Sequence, residues 1–435
     1  MTTLTRALRP VLDRALPAPP NSLRRGPFRD LEPSPGASTS AHDVRSAALL
    51  GRALGMAIAV CFTTGLVSHV HQHPAAWLDL PSRPVWGYQV TQGLHVAAGL
   101  AAIPLVLAKL WVVYRHFFTW PPARTVGHAL ERALLAPLVA GTLFEVTSGL
   151  LNIVQWYPWP FYFPRVHYAV AWIVVGSLLV HLAVKAPRIR AGLAASTGAP
   201  RAADGEALPD GEPLPDGEAL PYGEALLDGE VVVPDGDRRA LLLGVAGAVG
   251  LVTLATVGQT VAPLRAVSVL APRDPDRAPQ GVPVNRTASA AAIAALATDP
   301  GWRLTVAGPR TVSFSLAELQ ALPQTEVELP IACVEGWSVT ARWSGVRLRD
   351  LLDLAGLDLA GVDRGVHLQA VSLETGWLYG SSPIGPSIAR DPLSLLATRL
   401  NGEVLTLDHG YPLRLIAPNR PGVHQTKWLS RIEVV

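Results

Sequence analysis

The chain has 435 residues, of which 49% are hydrophobic and 16% are charged, and its net charge at pH 7 is +2. The charged fraction is well below the roughly 25% of an ordinary soluble domain, so the composition favours a membrane protein of two or three domains. The small net charge gives no reason to expect a nucleic acid partner, and we predict none. Two cysteines, Cys61 and Cys333, are too few and too far apart for a disulfide framework.

The first 45 residues are rich in Arg, Pro and Ser and show no apolar periodicity. This composition predicts a disordered tail, residues 1–45. No short apolar core with a cleavage site follows the first arginines, so we do not predict a secretory signal peptide. Seven arginines between Arg6 and Arg45 indicate that the tail is cytoplasmic.

Five apolar segments follow, each close to the roughly 20 residues that cross a bilayer: 47–70, 90–113, 128–151, 167–186 and 240–262. They predict an all-α transmembrane bundle of four helices, residues 46–190, and a fifth anchor helix, residues 238–263. Lys and Arg are concentrated in the second and fourth loops, whereas aromatic residues crowd the first and third. By the positive-inside rule, the N-terminus is inside and everything after about residue 263 is outside.

The fourth loop, residues 191–237, repeats an Asp-Gly-Glu motif with a period of six residues. Glycine and proline at this density disfavour helix and sheet, so we predict a flexible acidic linker. The loop ends at Arg238 and Arg239, directly before the fifth apolar segment. Twin arginines in this position are typical of an address for the twin-arginine translocase, although ordinary cytoplasmic arginines are the alternative.

Histidines inside the apolar segments are candidate cofactor ligands. His167 and His181 are fourteen residues apart, nearly four helical turns, and therefore share one helix face. This arrangement resembles the four-helix b-type cytochromes, which stack two haems across a membrane. The partner that the resemblance implies for His181 is position 109, which is Lys109. We therefore predict one haem b on the outer side, held by His95 and His167.

Other assignments of these histidines stay open. His69 or His71, at the outer end of the first segment, could replace His167 as a ligand. His181 could contact a quinone on the inner side or hold an inner haem with an unusual second ligand. The bundle could also have lost its haem and serve only as an anchor.

Residues 264–435 combine short strand-like runs with short helical pieces, which predicts a mixed α+β domain. The predicted strands are 303–306, 312–315, 326–331, 366–372, 377–380, 413–416 and 432–435, and the predicted helices are 316–321, 348–355 and 393–397. Cys333 follows the third of these strands and precedes a Gly-Trp turn. A thiolate at a strand end suits a soft or high-valent metal, and the alternative is a buried structural cysteine.

Several ordered motifs occur in this domain: CVEGWS at 333–338, WSGVRL at 343–348, NGE at 401–403, DHGYPLR at 408–414 and KW at 427–428. Together they resemble the sulfite oxidase family of molybdenum enzymes over about residues 280–435. Within that family, the stretch at 333–338 looks most like the catalytic subunit of the periplasmic methionine sulfoxide reductase. The whole chain thus resembles a molybdopterin oxidoreductase domain fused to a b-type cytochrome-like membrane domain.

The resemblance implies that Cys333 supplies the protein thiolate of a molybdenum–molybdopterin cofactor. Basic groups are needed to hold the pterin phosphate. The cofactor-binding residues implied by the closing motifs are Arg414, Arg420, His424 and Lys427, with Asn285 and Arg286 from the lead-in. The candidate residues of the catalytic pocket are Glu335, Trp337 and Tyr379.

The resemblance also implies two-electron oxygen-atom transfer. Sulfite oxidases place an arginine soon after the cysteine, whereas the first arginine here is Arg342 and the nearby Glu335 would repel sulfite. A neutral S-oxide or N-oxide therefore fits better. Because molybdenum cofactor is inserted in the cytoplasm, such a domain must be exported folded, which agrees with the twin-arginine motif.

We therefore expect a membrane-anchored molybdopterin-dependent oxidoreductase in a bacterial-type cell membrane. Its partners would be membrane lipid, the quinone pool or another electron carrier, and a small-molecule or protein-bound oxidised substrate. Electrons would pass from quinol through the b haem to molybdenum. The alternatives are a sulfite-type oxidase that feeds electrons into the membrane, and a non-catalytic electron carrier or binding module with a degenerate molybdopterin domain.

Overall fold

The computed structural model describes residues 44–75, 77–114, 126–194, 235–357, 367–376 and 378–435. The predicted tail lies almost wholly outside these ranges, and so does most of the predicted linker. The described residues form two compact units, one drawn from within residues 1–55, 104–143 and 172–248, and the other from within residues 56–103, 144–171 and 249–435. The predicted domain boundaries stay predictions.

Five long helices precede the C-terminal region: α1 Val44–Gln72, α2 Gly87–Val113, α3 Val126–Ile153, α4 Phe163–Ala194 and α5 Asp235–Val257. Each contains a stretch that is long and apolar enough to cross a membrane. The prediction of five apolar helices is thus confirmed for the described part of the chain. Helix α4 begins four residues before the predicted segment, with Pro164 in its first turn, where a missing N–H costs nothing.

Helix α5 ends five residues before the predicted end. The N–H of Gly258 donates to Ser268 Oγ at 2.7 Å, and that hydroxyl donates to the carbonyl of Leu254 at 2.6 Å. A Cβ atom on Gly258 would lie 2.5 Å from Ser268 Oγ. Ser268 therefore caps the helix end, and the chain turns back at a position that only glycine allows.

The described residues of the C-terminal region contain ten strands: β1 Arg303–Ala307, β2 Val312–Ser315, β3 Thr325–Ala332, β4 Ser338–Arg347, β5 Leu368–Ser372, β6 Ser381–Ile384, β7 Leu395–Leu400, β8 Glu403–Val404, β9 Arg414–Ile416 and β10 Leu429–Val434. The short α-helices described there are α6 Ala294–Ala297, α7 Leu316–Ala321, α8 Leu348–Leu354 and α9 Pro386–Arg390. This confirms the predicted mixed α+β region.

The strands form two sheets. The first has the order β2-β1-β10-β5-β6, in which only β1 and β10 are parallel. The second has the order β3-β4-β7-β8, with β9 also paired to β7, and all its pairs are antiparallel. Strand β3 alternates buried apolar residues with outward-facing polar ones, which fixes its register against β4.

The predicted helix at 393–397 is wrong, because Leu395–Leu400 is strand β7. Leu396 packs in one hydrophobic cluster, whereas Leu395 and Ala397 pack in the other. A strand buried on both faces has a continuous apolar sequence, and periodicity alone does not distinguish it from a buried helix. The strand predicted at 377–380 is displaced to β6, so that Tyr379 lies in the preceding turn.

Gly345, the glycine of the WSGVRL motif at 343–348, lies where β4 pairs with β7. The pairing of β4 with β7 shifts register between Ser344 and Gly345. A Cβ atom on Gly345 would lie 2.1 Å from the carbonyl oxygen of Leu396. Only glycine permits this close approach of the two strands, on which the second sheet is built.

Candidate functional site

Cys333 lies in a tight turn between β3 and β4. Its N–H donates to the carbonyl of Trp337 at 2.9 Å, and the N–H of Gly336 donates to the carbonyl of Cys333 at 3.0 Å. Gly336 has a φ of 89°, which favours glycine. Cys333 is 1% exposed, and burial raises the pKa of its thiol. The turn therefore fixes one buried sulfur at the edge of the second sheet.

The closing segment of the chain runs beside this turn. Ala332 pairs with Pro421 in an isolated parallel bridge, and a Cβ atom on Gly422 would lie 3.6 Å from Cys333 Cα. Asn285 points at the same sulfur, with Nδ2 at 3.8 Å from Sγ. The fold thus places the lead-in and the closing motif around Cys333, as the resemblance implied.

Three predicted cofactor-binding residues are cations that burial disfavours. Burial lowers the pKa of Arg414 to about 10 and that of Arg420 to about 9. Burial and the neighbouring Arg414 lower the pKa of Lys427 to about 7, although its side chain keeps some exposed surface. Desolvated cations of one sign are costly unless an anion accompanies them.

The hydrogen bonds of these cations are incomplete. Arg414 Nη1 donates to the carbonyl of His409 at 3.1 Å, and Arg420 Nη2 donates to Ser382 Oγ at 3.0 Å. Arg414 Nε and Arg420 Nη1 are buried without a hydrogen-bond partner among the described residues. Spare buried donors on Arg414 and Arg420 fit a phosphate-bearing cofactor, with Cys333 as a soft ligand.

Three other predicted cofactor-binding residues differ from Arg414 and Arg420 in their contacts: Lys427, His424 and Arg286. Lys427 Nζ donates to the carbonyl of Arg286 at 2.8 Å. The Arg286 guanidinium is held by Glu374 Oε1, which accepts from Nε at 2.9 Å and from Nη2 at 2.6 Å. His424 is buried, and burial together with Arg420 lowers its pKa, so it offers a neutral hydrogen-bonding ring rather than charge.

The predicted pocket residues lie in two places. Glu335 is buried and accepts from Trp337 Nε1 at 3.1 Å and from Gln155 Nε2 at 2.5 Å. Burial raises the pKa of Glu335. The hydroxyl of Tyr379 is 3.2 Å from that of Tyr162, and its ring lies 6.0 Å from the ring of His424. Glu335 and Trp337 thus form one pair beside Cys333, and Tyr379 sits near His424.

The two predicted haem ligands lie together, with the ring centroids of His95 and His167 6.2 Å apart. Two imidazoles that share one metal ion are expected about 6 Å apart, since each metal–nitrogen bond is about 2 Å long. His95 Nδ1 donates to the carbonyl of Cys61 at 2.9 Å, which leaves Nε2 available for a metal. The described hydrogen bonds of His95 thus leave Nε2 unoccupied, and its assignment as a haem ligand stays a prediction.

His167 is a less simple candidate for a haem ligand, because both of its ring nitrogens have partners. Its Nε2 is 3.0 Å from Glu145 Oε2, and its Nδ1 is 2.9 Å from Ser148 Oγ. Sequence reasoning missed Glu145, although a single acidic residue within an apolar segment was a usable signal. Within the described residues, no group of three or more His, Cys, Asp or Glu side chains is arranged to hold a metal ion. A haem with two histidine ligands would require His167 to give up its contact with Glu145.

The remaining candidates are His69, His181 and Lys109. The ring of His69 stacks on that of Tyr168, with centroids 3.7 Å apart. His181 belongs to the first compact unit, whereas His95 and His167 belong to the second. Lys109, also in the first unit, donates from Nζ to the carbonyl of Ala47 in α1 at 2.5 Å.

Comparisons with known proteins agree with this geometry. Residues 291–435 match the family described as the oxidoreductase molybdopterin binding domain. The C-terminal region is a sulfite oxidase-like molybdopterin-binding domain. Human mitochondrial sulfite oxidase is similar to this molybdopterin domain at 32% identity over 148 residues, 29% of this chain and 27% of the human protein. The uncharacterized oxidoreductase YuiH of Bacillus subtilis is 38% identical over 138 residues, 30% of this chain and 64% of that protein.

Sulfane dehydrogenase SoxCD from Paracoccus pantotrophus is a similar solved structure, with 24% identity and a TM-score of 0.28 over 31% of this chain and 38% of that chain. This likeness carries no argument about the fold. The chain spans less than two thirds of the length of each of these proteins. The prediction of a molybdopterin oxidoreductase domain is confirmed. The cytochrome-like assignment and the individual site residues stay predictions.

Proposed function

We propose that the protein is a membrane-anchored molybdopterin-dependent oxidoreductase that reduces an S-oxide or N-oxide outside the cell membrane. The buried cations beside Cys333 are the observation that carries this proposal. Cys333 would hold the metal, while Arg414, Arg420 and Lys427 would hold the pterin phosphate. When bound, the cofactor supplies two-electron oxygen-atom transfer.

The surroundings of Cys333 support a neutral substrate. The first side chains after the metal-binding sulfur are apolar or acidic, and Glu335 is fixed there by Gln155 and Trp337. In the sequence no arginine occurs between Cys333 and Arg342, and the nearby Arg273 is paired with Glu335, with 3.9 Å between Nε and Oε2. The substrate, small or protein-bound, would therefore be recognised without the cluster of arginines that sulfite requires.

A single b haem held by His95 and His167 is the electron donor in this proposal, with the quinone pool or another carrier supplying the electrons. The separation of the two rings and the tautomer of His95 support this assignment. Two histidine ligands leave no open iron position, which suits electron transfer. Five apolar helices support the membrane anchor, and the distribution of Lys and Arg supports an inside N-terminus and an outside molybdopterin domain.

Elemental analysis of the detergent-purified protein tests the proposal, with Cys333→Ser as the variant. The wild-type protein should contain one molybdenum and one iron per chain and should reduce sulfoxides with a reduced-quinone donor. Cys333→Ser should lose turnover and keep the haem spectrum, because serine removes the thiolate and leaves His95 and His167 in place. Turnover that survives in Cys333→Ser, or molybdenum-free protein from a host that makes the cofactor, would contradict the proposal.

A further inference from the structure

Two membrane helices hold the turn that carries Cys333. The carbonyl of Val334, the first after the cysteine, accepts from Gln92 Nε2 of α2 at 3.3 Å and from Asn152 Nδ2 of α3 at 3.3 Å. All three residues belong to the second compact unit. Two amide donors from separate helices thus meet on one carbonyl and restrain the peptide next to the sulfur.

Helix α2 also touches the other side of this turn. A Cβ atom on Gly336 would lie 2.8 Å from Val96 Cγ2, so the backbone of the turn rests directly on the helix. Val96 follows His95 in sequence, and Gln92 is three residues before His95. Together with Asn152, Gln92 forms a clamp on the Val334 carbonyl. Residues three apart on a helix share a face, so Gln92 lies on the same face of α2 as the proposed haem ligand His95.

Gln92 is well suited to a positioning role. It is 4% exposed, and its Oε1 accepts from Ser68 Oγ of α1 at 2.9 Å. This second bond fixes the orientation of the amide, so that Nε2 points at Val334. A buried glutamine in an apolar helix is costly unless its amide is satisfied, and here both of its ends are bonded.

We infer that Gln92 and Asn152 are positioning residues that hold the Cys333 turn against the helix segment carrying His95, and so set the separation between the haem ligand and the metal-binding thiolate. Intramolecular electron transfer depends steeply on that separation. The inference rests on the proposed function for the electron route. The clamp itself rests only on contacts within this chain.

Hydrogen–deuterium exchange of the full-length protein in detergent tests the clamp. The variants are Gln92→Leu, Asn152→Leu and their combination, since leucine is favoured in apolar helices and does not threaten folding. Exchange of the Cys333 and Gly336 amides should rise about fivefold for each single variant, because one hydrogen bond is worth about 1 kcal/mol. Unchanged exchange in both single variants would overturn the inference.

Two matched controls separate the clamp from general loosening. Gln89→Leu removes a glutamine one turn earlier on α2, which bonds Ser338 Oγ at 3.0 Å rather than Val334. Ser68→Ala removes the hydroxyl that orients Gln92, which also bonds Tyr88 and Gln72. Gln89→Leu should leave exchange of the two turn amides as in the wild type, and Ser68→Ala should raise it by less than Gln92→Leu. An equal rise in Gln89→Leu would contradict a clamp specific to Val334.

Electron transfer is then measured as the rate of haem reoxidation when the reduced protein meets dimethyl sulfoxide in a stopped-flow instrument. This rate should fall from the wild type to the single variants and again to the double variant, with the haem spectrum unchanged. Faster amide exchange with an unchanged reoxidation rate would overturn the electron-transfer role. Iron or molybdenum missing from the wild type would instead contradict the proposed function, and the exchange comparison would still decide the clamp.

Discussion

The most informative single residues in the molybdopterin domain are three cations whose charge is disfavoured by burial: Arg414, Arg420 and Lys427. Buried cations normally occur with a carboxylate, yet the bonds that Arg414 and Arg420 make go to carbonyl and hydroxyl oxygens. Such a set is stable when an external anion completes it. Under the proposed function, these residues would link cofactor loading to the stability of the fold.

Lys427 should make the stability of the cofactor-free protein depend on pH. Its folded pKa of about 7 is below the unfolded value of about 10.4, so the unfolded chain binds more protons between these values. The free energy of unfolding should therefore rise as the pH increases from 7 towards 10. Chemical unfolding of cofactor-free protein at several pH values measures this slope, which should flatten in Lys427→Met. Removal of an exposed cation, in Arg399→Met, should leave it unchanged.

His95 should be required for haem binding. His95→Ala removes the ligand whose Nδ1 is fixed by the Cys61 carbonyl, so the b-type absorbance and the iron content of the purified protein should both fall. His367→Ala, which replaces a histidine of the C-terminal region, is the control and should keep the haem. Full haem content in His95→Ala would remove the ligand assignment and with it the electron route.

At the scale of elements, the start of α2 is capped by a residue from the distant closing segment. Asn419 Oδ1 accepts from the N–H of Tyr88 at 2.7 Å, and Asn419 Nδ2 donates to the carbonyl of Pro81 at 2.7 Å. Asn419 has a φ of 51°, which asparagine tolerates better than most residues. A helix N-terminus is thus satisfied by a side chain more than 300 residues away in sequence.

Asn419→Ala should destabilise the fold by about 1–2 kcal/mol, because it removes the cap and places alanine at a positive φ. Asn419→Asp keeps an acceptor for the Tyr88 amide and should lose less. Chemical unfolding and exchange of the Tyr88 amide measure the two effects. An equal loss of stability in both variants would show that the helix cap is not the cause.

The sequence predicted a feature only where the residues that determine it lie close together in the chain. Cys333 and the closing cations belong to contiguous motifs, and the five apolar helices follow from composition, so they were predictable. Strand β7 was mistaken for a helix because burial on both faces removes the alternation that identifies strands. Gln92 and Asn152 were not predictable as partners of Val334, since a polar side chain in an apolar segment gives no sign of which distant carbonyl it will meet.

At the scale of the whole molecule, the proposed function requires the molybdopterin domain to be folded around its cofactor before export. Arg238 and Arg239 lie in the first turn of α5, directly before its apolar stretch. Arg238→Lys combined with Arg239→Lys should leave the domain inside, where added protease does not reach it in spheroplasts. The pair Arg188→Lys and Arg190→Lys, near the end of α4, should be exported normally. Normal export of the first double variant would exclude twin-arginine transport.

Lys109 bears on how the protein couples to the electric field of the membrane. Its ammonium group is bonded to the Ala47 carbonyl at the position where the cytochrome resemblance implies a second haem ligand. A fixed positive charge at this position disfavours a second haem there. The proposed route therefore has one haem, which receives its electrons from the outer side. In that route, electrons and quinol protons remain on one side of the bilayer. An elementary charge that crossed the bilayer would gain or lose about 2.3 kcal/mol per 100 mV of membrane potential. Such an enzyme turns over independently of the membrane potential, and it consumes reducing power without storing any of it.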